Sequence, residues 1–186
     1  MSDPSADTLD AETRQRVDRL IQEEEGNANQ YPGVGGVLLT LCAVLMSAFH
    51  LYAAYAIVPA QVLRTTHVAM VLVFIFLSFP IAERFKNRLM PWDMVFAMLA
   101  VASLAYALMG GDDFTDRNTY PMTADVVFGG ILILLILEAL RRTNGWVLLC
   151  VTVGFLLYAL FGNYLPAPWT HKGYELPRLV GFMYMT

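Results

Sequence analysis

Five apolar runs, each long enough to cross a bilayer and each closed by proline, glycine or charge, leave this chain few folds to choose from. A helix rises 1.5 Å per residue, so about 20 apolar residues span a hydrocarbon core of about 30 Å. The runs cover residues 33–58, 64–82, 92–110, 123–140 and 146–162. Lipid offers no partner to backbone N–H and C=O groups, so continuous runs of this length must be helical. The expectation is an all-α integral membrane protein, an antiparallel bundle of four to five transmembrane helices behind a polar N-terminal helix. Apolar residues make up 57% of the chain and charged residues 15%, against about 45–50% and 25% in soluble domains. A soluble globule is therefore the wrong frame.

The charges are segregated. Asp3, Asp7, Asp10, Glu12, Asp18, Glu23, Glu24 and Glu25 crowd into a polar leader, residues 1–32, and account for much of the formal charge of -4. No basic stripe tracks a phosphate backbone, which excludes nucleic acid as a partner. The first apolar run starts after the leader and is far longer than the core of a signal peptide, about 7–15 residues. Thr8 to Glu25 has helix-forming composition, with Val17, Leu20 and Ile21 at i, i+3, i+4 spacing. That short stripe with an acidic polar face suits docking on protein better than lying on an anionic leaflet.

Within the membrane domain, residues 33–162, the first run is rich in small residues, among them Gly35, Gly36, Ala43, Ser47 and Ala53. Small residues let helix backbones approach closely in lipid. The third run begins at Pro91-Trp92-Asp93, with proline in the first turn and Asp93 placed to cap it. A polar loop, Asp112 to Arg117, separates the third run from the fourth. Arg141 to Gly145 is a tight turn that makes the fourth and fifth runs an antiparallel hairpin. Beyond it lies a loop-like stretch, residues 163–186, with an interfacial helix at Leu179 to Met185. The connections after the second and fourth runs carry five Lys and Arg residues, those after the first and third carry two. That bias places the N-terminus in the cytoplasm and the C-terminal end outside. No inverted-topology repeat is visible.

Charge inside the spans is scarce, so each instance matters. Glu138 lies one turn before Arg141 and Arg142, at the i+3 and i+4 spacings where helix side chains pair. The expected role is a helix-end anchor with snorkelling arginines, or a contact that fixes packing between helices or subunits. His50 sits in mid-run and is expected to hydrogen-bond a neighbouring helix. A bis-histidine haem site with His67 is the redox alternative. It suffers from the two residues' different expected depths. Cys42 and Cys150 lie in apolar runs as packing residues. Trp92, Trp146, Trp169, Tyr31, Tyr120, Tyr164 and Tyr174 fall at run ends, as an aromatic belt should. No nucleophile–base pattern, P-loop, HExxH or GxSxG is present, and no enzyme activity is expected.

The run Asp125-Val126-Val127-Phe128-Gly129-Gly130, followed by Leu137-Glu138-Ala139-Leu140-Arg141-Arg142 and Gly145-Trp146, resembles the small-subunit portion of TRAP transporter permeases. More closely, it is similar to the N-terminal part of fused permeases that work with TAXI-type solute-binding proteins. Arg64 and His67, Pro91-Trp92-Asp93, Leu157 to Gly162, Leu165-Pro166 and His171 to Tyr174 fit the same pattern, so the likeness covers about Leu38 to Thr186.

The resemblance implies a multi-pass protein of a bacterial inner membrane. Its partners would be a large permease subunit, in trans or as a missing C-terminal fusion, and a periplasmic TAXI-type binding protein. A sodium gradient would drive the assembled transporter, with no cofactor held by this chain. The small subunit of a tripartite tricarboxylate transporter is the neighbouring alternative. On either reading the structural and assembly candidates are Glu138, Arg141, Arg142, Asp125, His67, Arg64 and His50.

Overall fold

The computed structural model describes residues 13–17, 28, 29, 31 and 33–186. It is all-helical, with no strand among the described residues: α1 (Val34–Tyr55), α2 (Ala60–Ser78), α3 (Pro91–Met109), α4 (Gly111–Asp116), α5 (Thr123–Phe161) and α6 (Leu176–Met185). Four helical segments are long and apolar enough to cross a membrane, Gly35–Tyr55, Ala60–Ser78, Pro91–Met109 and Thr123–Tyr164. The chain is a multi-pass membrane protein. Of the expected leader helix, residues 13–17 are helical, and the remainder lies outside the described residues.

Prolines set the helix ends. Pro59 precedes the first residue of α2, so that helix starts at Ala60 rather than at the expected residue 64. Pro80 forces the residue before it out of the helical region, and Phe79 is extended at φ -111°, ψ 118°. The second helix therefore stops at Ser78, short of the expected end at residue 82. Pro91 occupies the first turn of α3, where its missing N–H costs nothing. The acidic loop after α3 is instead a short helix, α4.

The bundle core is α2, α3 and α5. Leu72 and Phe76 of α2 and Leu132, Leu135 and Ala139 of α5 are buried against Ala97, Ala100, Leu104 and Ala107 of α3. The alanines of α3, with the buried Ser103, form a stripe at helical spacing that brings its backbone close to both neighbours. By contrast, α1 touches α2 along one edge and has no buried residue among those described.

A straight 39-residue α5 would be about 58 Å long, nearly twice the hydrocarbon core. It is not straight. Gly145, at φ 75° and ψ -165°, breaks it, and the residues expected to be the turn, Arg141 to Asn144, stay helical. The break bends the chain back. The Tyr174 N–H donates to the Ala159 carbonyl, and six residues later Val180 fills the space that a Cβ at Gly129 would take. Six residues reach at most about 21 Å, whereas Gly129 and Ala159 would lie about 45 Å apart in an unbroken helix. The returning half stands off the bundle: no residue from Trp146 to Phe161 is buried.

The backbone angles of Gly145 belong to a region open essentially to glycine alone. Gly145→Ala should therefore cost about 1–3 kcal/mol, read as a lower denaturation midpoint in detergent. An unchanged midpoint would show that the bend is set elsewhere.

The last helix is more than interfacial. Pro177 sits in its first turn, and Val180, Gly181, Tyr184 and Met185 are buried. Gly181 packs on the carbonyl of Asn118, and Tyr184 donates its hydroxyl hydrogen to the carbonyl of Ser103. Thus α6 straps the bundle end where α3 finishes and α5 begins. The opposite end is held by the leader. The Asn29 N–H donates to the Ser78 carbonyl (2.5 Å) and the Tyr31 hydroxyl to the Leu77 carbonyl (2.9 Å), covering the C-terminus of α2. Burial raises the Tyr31 phenol above its ordinary pKa, so it remains a donor.

Candidate functional site

Two clusters of ionisable side chains form in the bundle, one at each end of the antiparallel pair α3 and α5. At the first, Arg142 is the hub. Its Nη1 donates to Asp93 Oδ1 (2.7 Å) and to the Phe79 carbonyl (2.9 Å), and its Nε to Glu138 Oε1 (2.9 Å). The guanidinium carbon lies 5.2 Å from the ring centre of Phe76 and 5.5 Å from that of Phe96, within cation–π range. The Arg142 side chain is 0% and that of Asp93 3% exposed, so the pair is shut off from water.

Arg141 completes this cluster. It grips Glu138 with two hydrogen bonds, Nε to Oε2 (2.8 Å) and Nη2 to Oε1 (2.7 Å), and donates to the Ile81 carbonyl (3.0 Å). Both arginines thus satisfy carbonyls that flank Pro80, where the chain has left the α2 helix. At membrane depth such groups need a protein partner. The expected i+3 and i+4 pairs of Glu138 are both made. Asp93 does more than cap: Oδ2 accepts the Met90 N–H (3.2 Å) while Oδ1 holds Arg142.

The second cluster centres on Asp125, which is fully buried. Arg117 approaches it as a fork, Nε to Oδ2 (2.9 Å) and Nη2 to Oδ1 (3.0 Å), the geometry that suits a planar guanidinium and a carboxylate. Tyr106 donates its hydroxyl hydrogen to Oδ1 (2.8 Å), and the Met122 N–H donates to Oδ2 (2.8 Å). The Asp125 hydrogen bonds raise the Arg117 pKa further. Tyr106 stacks on Phe128 with ring centres 4.5 Å apart. Neither Tyr106 nor Arg117 stood out in the sequence, the first as one aromatic among many and the second as a loop cation.

The two clusters are built alike. Met90-Pro91-Trp92-Asp93-Met94-Val95-Phe96 and Met122-Thr123-Ala124-Asp125-Val126-Val127-Phe128 start α3 and α5 with the same M-x-x-D-x-V-F pattern. In each, the aspartate sits at the third helical position, accepts the N–H of the methionine before the helix and binds a side chain from the far end of its antiparallel partner or the adjoining loop. This local inverted correspondence is one that run-by-run reading misses. Asp93 and Tyr106 are thirteen residues apart, as are Asp125 and Glu138, so the clusters bracket a slab about 20 Å thick.

His50 and His67 meet, against the expectation of different depths. His67 Nδ1 and His50 Nε2 are 2.8 Å apart, and His50 Nδ1 lies 2.7 Å from the Met46 carbonyl. His50 therefore donates to Met46 and accepts from His67, an assignment of protons fixed by the partners. The expectation failed because helix ends moved: His50 lies five residues before the end of α1 and His67 seven after the start of α2. A 2.8 Å hydrogen bond is also not the spacing of two axial haem ligands, which at about 2 Å per metal–nitrogen bond stand about 4 Å apart. Arg64 stays outside both clusters, exposed, with Nε 3.4 Å from the carbonyl of Ala60 in its own helix. The arrangement as a whole does mechanical chemistry, locking helix ends by charge. No protein-family description, curated protein or solved structure matches this chain.

Proposed function

We propose that this chain is the small scaffold subunit of a TRAP-type secondary transporter, bracing a large permease subunit that carries the substrate and ion sites. The observation that supports it best is where charge goes. Asp93, Asp125, Glu138, Arg141 and Arg142 are all consumed in pairs; those of Glu138 lie within its own helix, while the Arg142–Asp93 pair and the arginine bonds to the Phe79 and Ile81 carbonyls tie helix ends to one another. A rigid brace needs this; a moving substrate carrier instead needs polar groups facing a cavity. Two further features suit a partner. Among the described residues, none of the first helix and none of the returning half of α5 is fully buried within this chain. The family assignment itself rests on the motif resemblance along Leu38 to Thr186.

In this reading the protein lies in a bacterial inner membrane with its N-terminus and the Arg142 cluster on the cytoplasmic side, following the lysine and arginine bias. The α6 strap then faces the periplasm, toward a TAXI-type binding protein. Transport in the assembled system draws on the sodium gradient. Co-expression with a TAXI-type large permease, followed by affinity purification in mild detergent, tests the reading. A stable complex is expected. A monodisperse protein that never retains the permease would reject it.

A further inference from the structure

The returning half of α5 carries a built recess that the scaffold reading leaves unused. Residues 163–175 fold back onto the end of this helix. The His171 N–H donates to the Gly162 carbonyl (3.2 Å), and the His171 ring packs so closely on Gly162 that no side chain fits there. The Gly173 N–H donates to His171 Nδ1 (2.9 Å), so the ring hydrogen is on Nε2, which donates to the Tyr158 carbonyl (2.9 Å). The Tyr158 hydroxyl in turn donates to the Trp169 carbonyl (2.9 Å). Loop and helix are pinned together around Tyr158.

Tyr158 separates two spaces. Toward the membrane interior runs an apolar groove of about 390 Å³, lined by Val151, Gly154, Phe155, Tyr158 and Trp169. Its floor is Gly154, where a Cβ would meet nothing within 4 Å. Toward the helix end opens a polar recess of about 820 Å³, bordered by Asn163, Lys172, Glu175 and Arg178 besides Tyr158. Lys172 and Arg178 form no ion pair among the described residues. The Arg178 guanidinium rests over the Phe182 ring, 5.8 Å from its centre, an arrangement that keeps the cation at the surface.

Eight residues separate Gly154 from Gly162, about 12 Å along the helix. The groove therefore lies at acyl-chain depth when the recess lies at headgroup depth. Two cations against one carboxylate leave the recess one positive charge in excess, which a phosphate diester balances. Glu175 and Asn163 remain to accept hydrogen bonds from headgroup hydroxyls. A free anion would use the recess and leave the groove idle; an apolar peptide would do the reverse.

We infer that this paired groove and recess bind one anionic glycerophospholipid, its phosphate held by Lys172 and Arg178 and one acyl chain laid along Gly154. The inference holds whether or not the chain braces a transporter. Native mass spectrometry of the full chain in mild detergent, titrated with phosphatidylglycerol or phosphatidylcholine, tests it. One phosphatidylglycerol should be retained in preference to phosphatidylcholine. Lys172→Gln with Arg178→Gln should weaken phosphatidylglycerol about 30-fold, at about fivefold per cation. Gly154→Leu, which fills the groove, should weaken both lipids by about tenfold or more.

Far-UV circular dichroism checks that the variants keep their helix content, and Lys172→Gln alone, in the loop, replaces any that does not. Equal retention of the two lipids by the unaltered protein would overturn the inference. So would undiminished phosphatidylglycerol binding in the charge variants. Displacement of the lipid by inorganic phosphate, with Gly154→Leu binding normally, would reduce the site to an anion site and overturn it as well.

Discussion

Arg142→Ala is expected to cost about 3–5 kcal/mol of stability, the range for removing one partner of a buried ion pair. The size follows from what is stranded. Asp93, 3% exposed, loses the one cation paired with it among the described residues, and Glu138, more open at 23%, keeps Arg141. The Phe79 carbonyl loses its donor, and the packing between Phe76 and Phe96 goes with the side chain. Arg142→Lys should fall between the two, because an ammonium keeps the charge and loses the fork that reaches Asp93, Glu138 and Phe79 together. Unfolding of the purified protein by titration with a denaturing detergent, followed by circular dichroism, measures both. An Arg142→Ala midpoint equal to that of the unaltered protein would mean the cluster holds nothing together.

How much of this was legible depends on distance along the chain. Run length alone pointed to an all-helical membrane bundle, and the local spacing of Glu138, Arg141 and Arg142 revealed their pairing, since i+3 and i+4 neighbours meet wherever the helix goes. The bond from Arg142 to Asp93 joins residues 49 apart, and no local rule connects them. Only the packing of α3 against α5 does. Asp93 could be read as a cap from its place after Met90-Pro91, yet its second oxygen carries the longer-range tie.

Helix ends were the other weak point, and errors there propagated. Starting α2 at Arg64 put His67 three residues into its helix. The true start after Pro59 puts it seven residues in, level with His50. Arg64 can snorkel from inside a helix, whereas proline fixes where one begins. The α6 strap was partly legible as a short apolar stretch. Its burial was not, because Gly129 and Gly181, the residues that admit it, lie 52 positions apart and each looks like an ordinary small residue in an apolar run.

The likeness between the two clusters also says what they hold in place. Each aspartate ends one helix of the α3–α5 pair and is bound from outside that helix, so sliding one helix along the other breaks bonds at both ends at once. Apolar side chains in lipid gain little from one register over another. Directional bonds at the two ends supply what the apolar core lacks, a single register and a fixed tilt. The proposed bracing role would draw on that property.

The Asp125 cluster allows this to be tested with an asymmetry. Asp125 is 0% exposed and Arg117 25%. Removing Arg117 therefore strands a carboxylate that cannot reach water, with only Tyr106 and the Met122 N–H left to hold it. Arg117→Ala should cost about 3–5 kcal/mol. Adding Asp125→Asn removes the stranded charge and keeps an oxygen that can accept from Tyr106, so the double variant should recover more than half of the loss. Tyr106→Phe deletes one hydrogen bond to a charged group and should cost about 1.5–3 kcal/mol. The double-variant cycle is the decisive measurement, because residues within one network couple and independent ones add. If Arg117→Ala and Asp125→Asn prove additive, the fork between them contributes no coupling energy, and the register of α3 on α5 must be set by packing of Ala97, Ala100 and Ala107 instead.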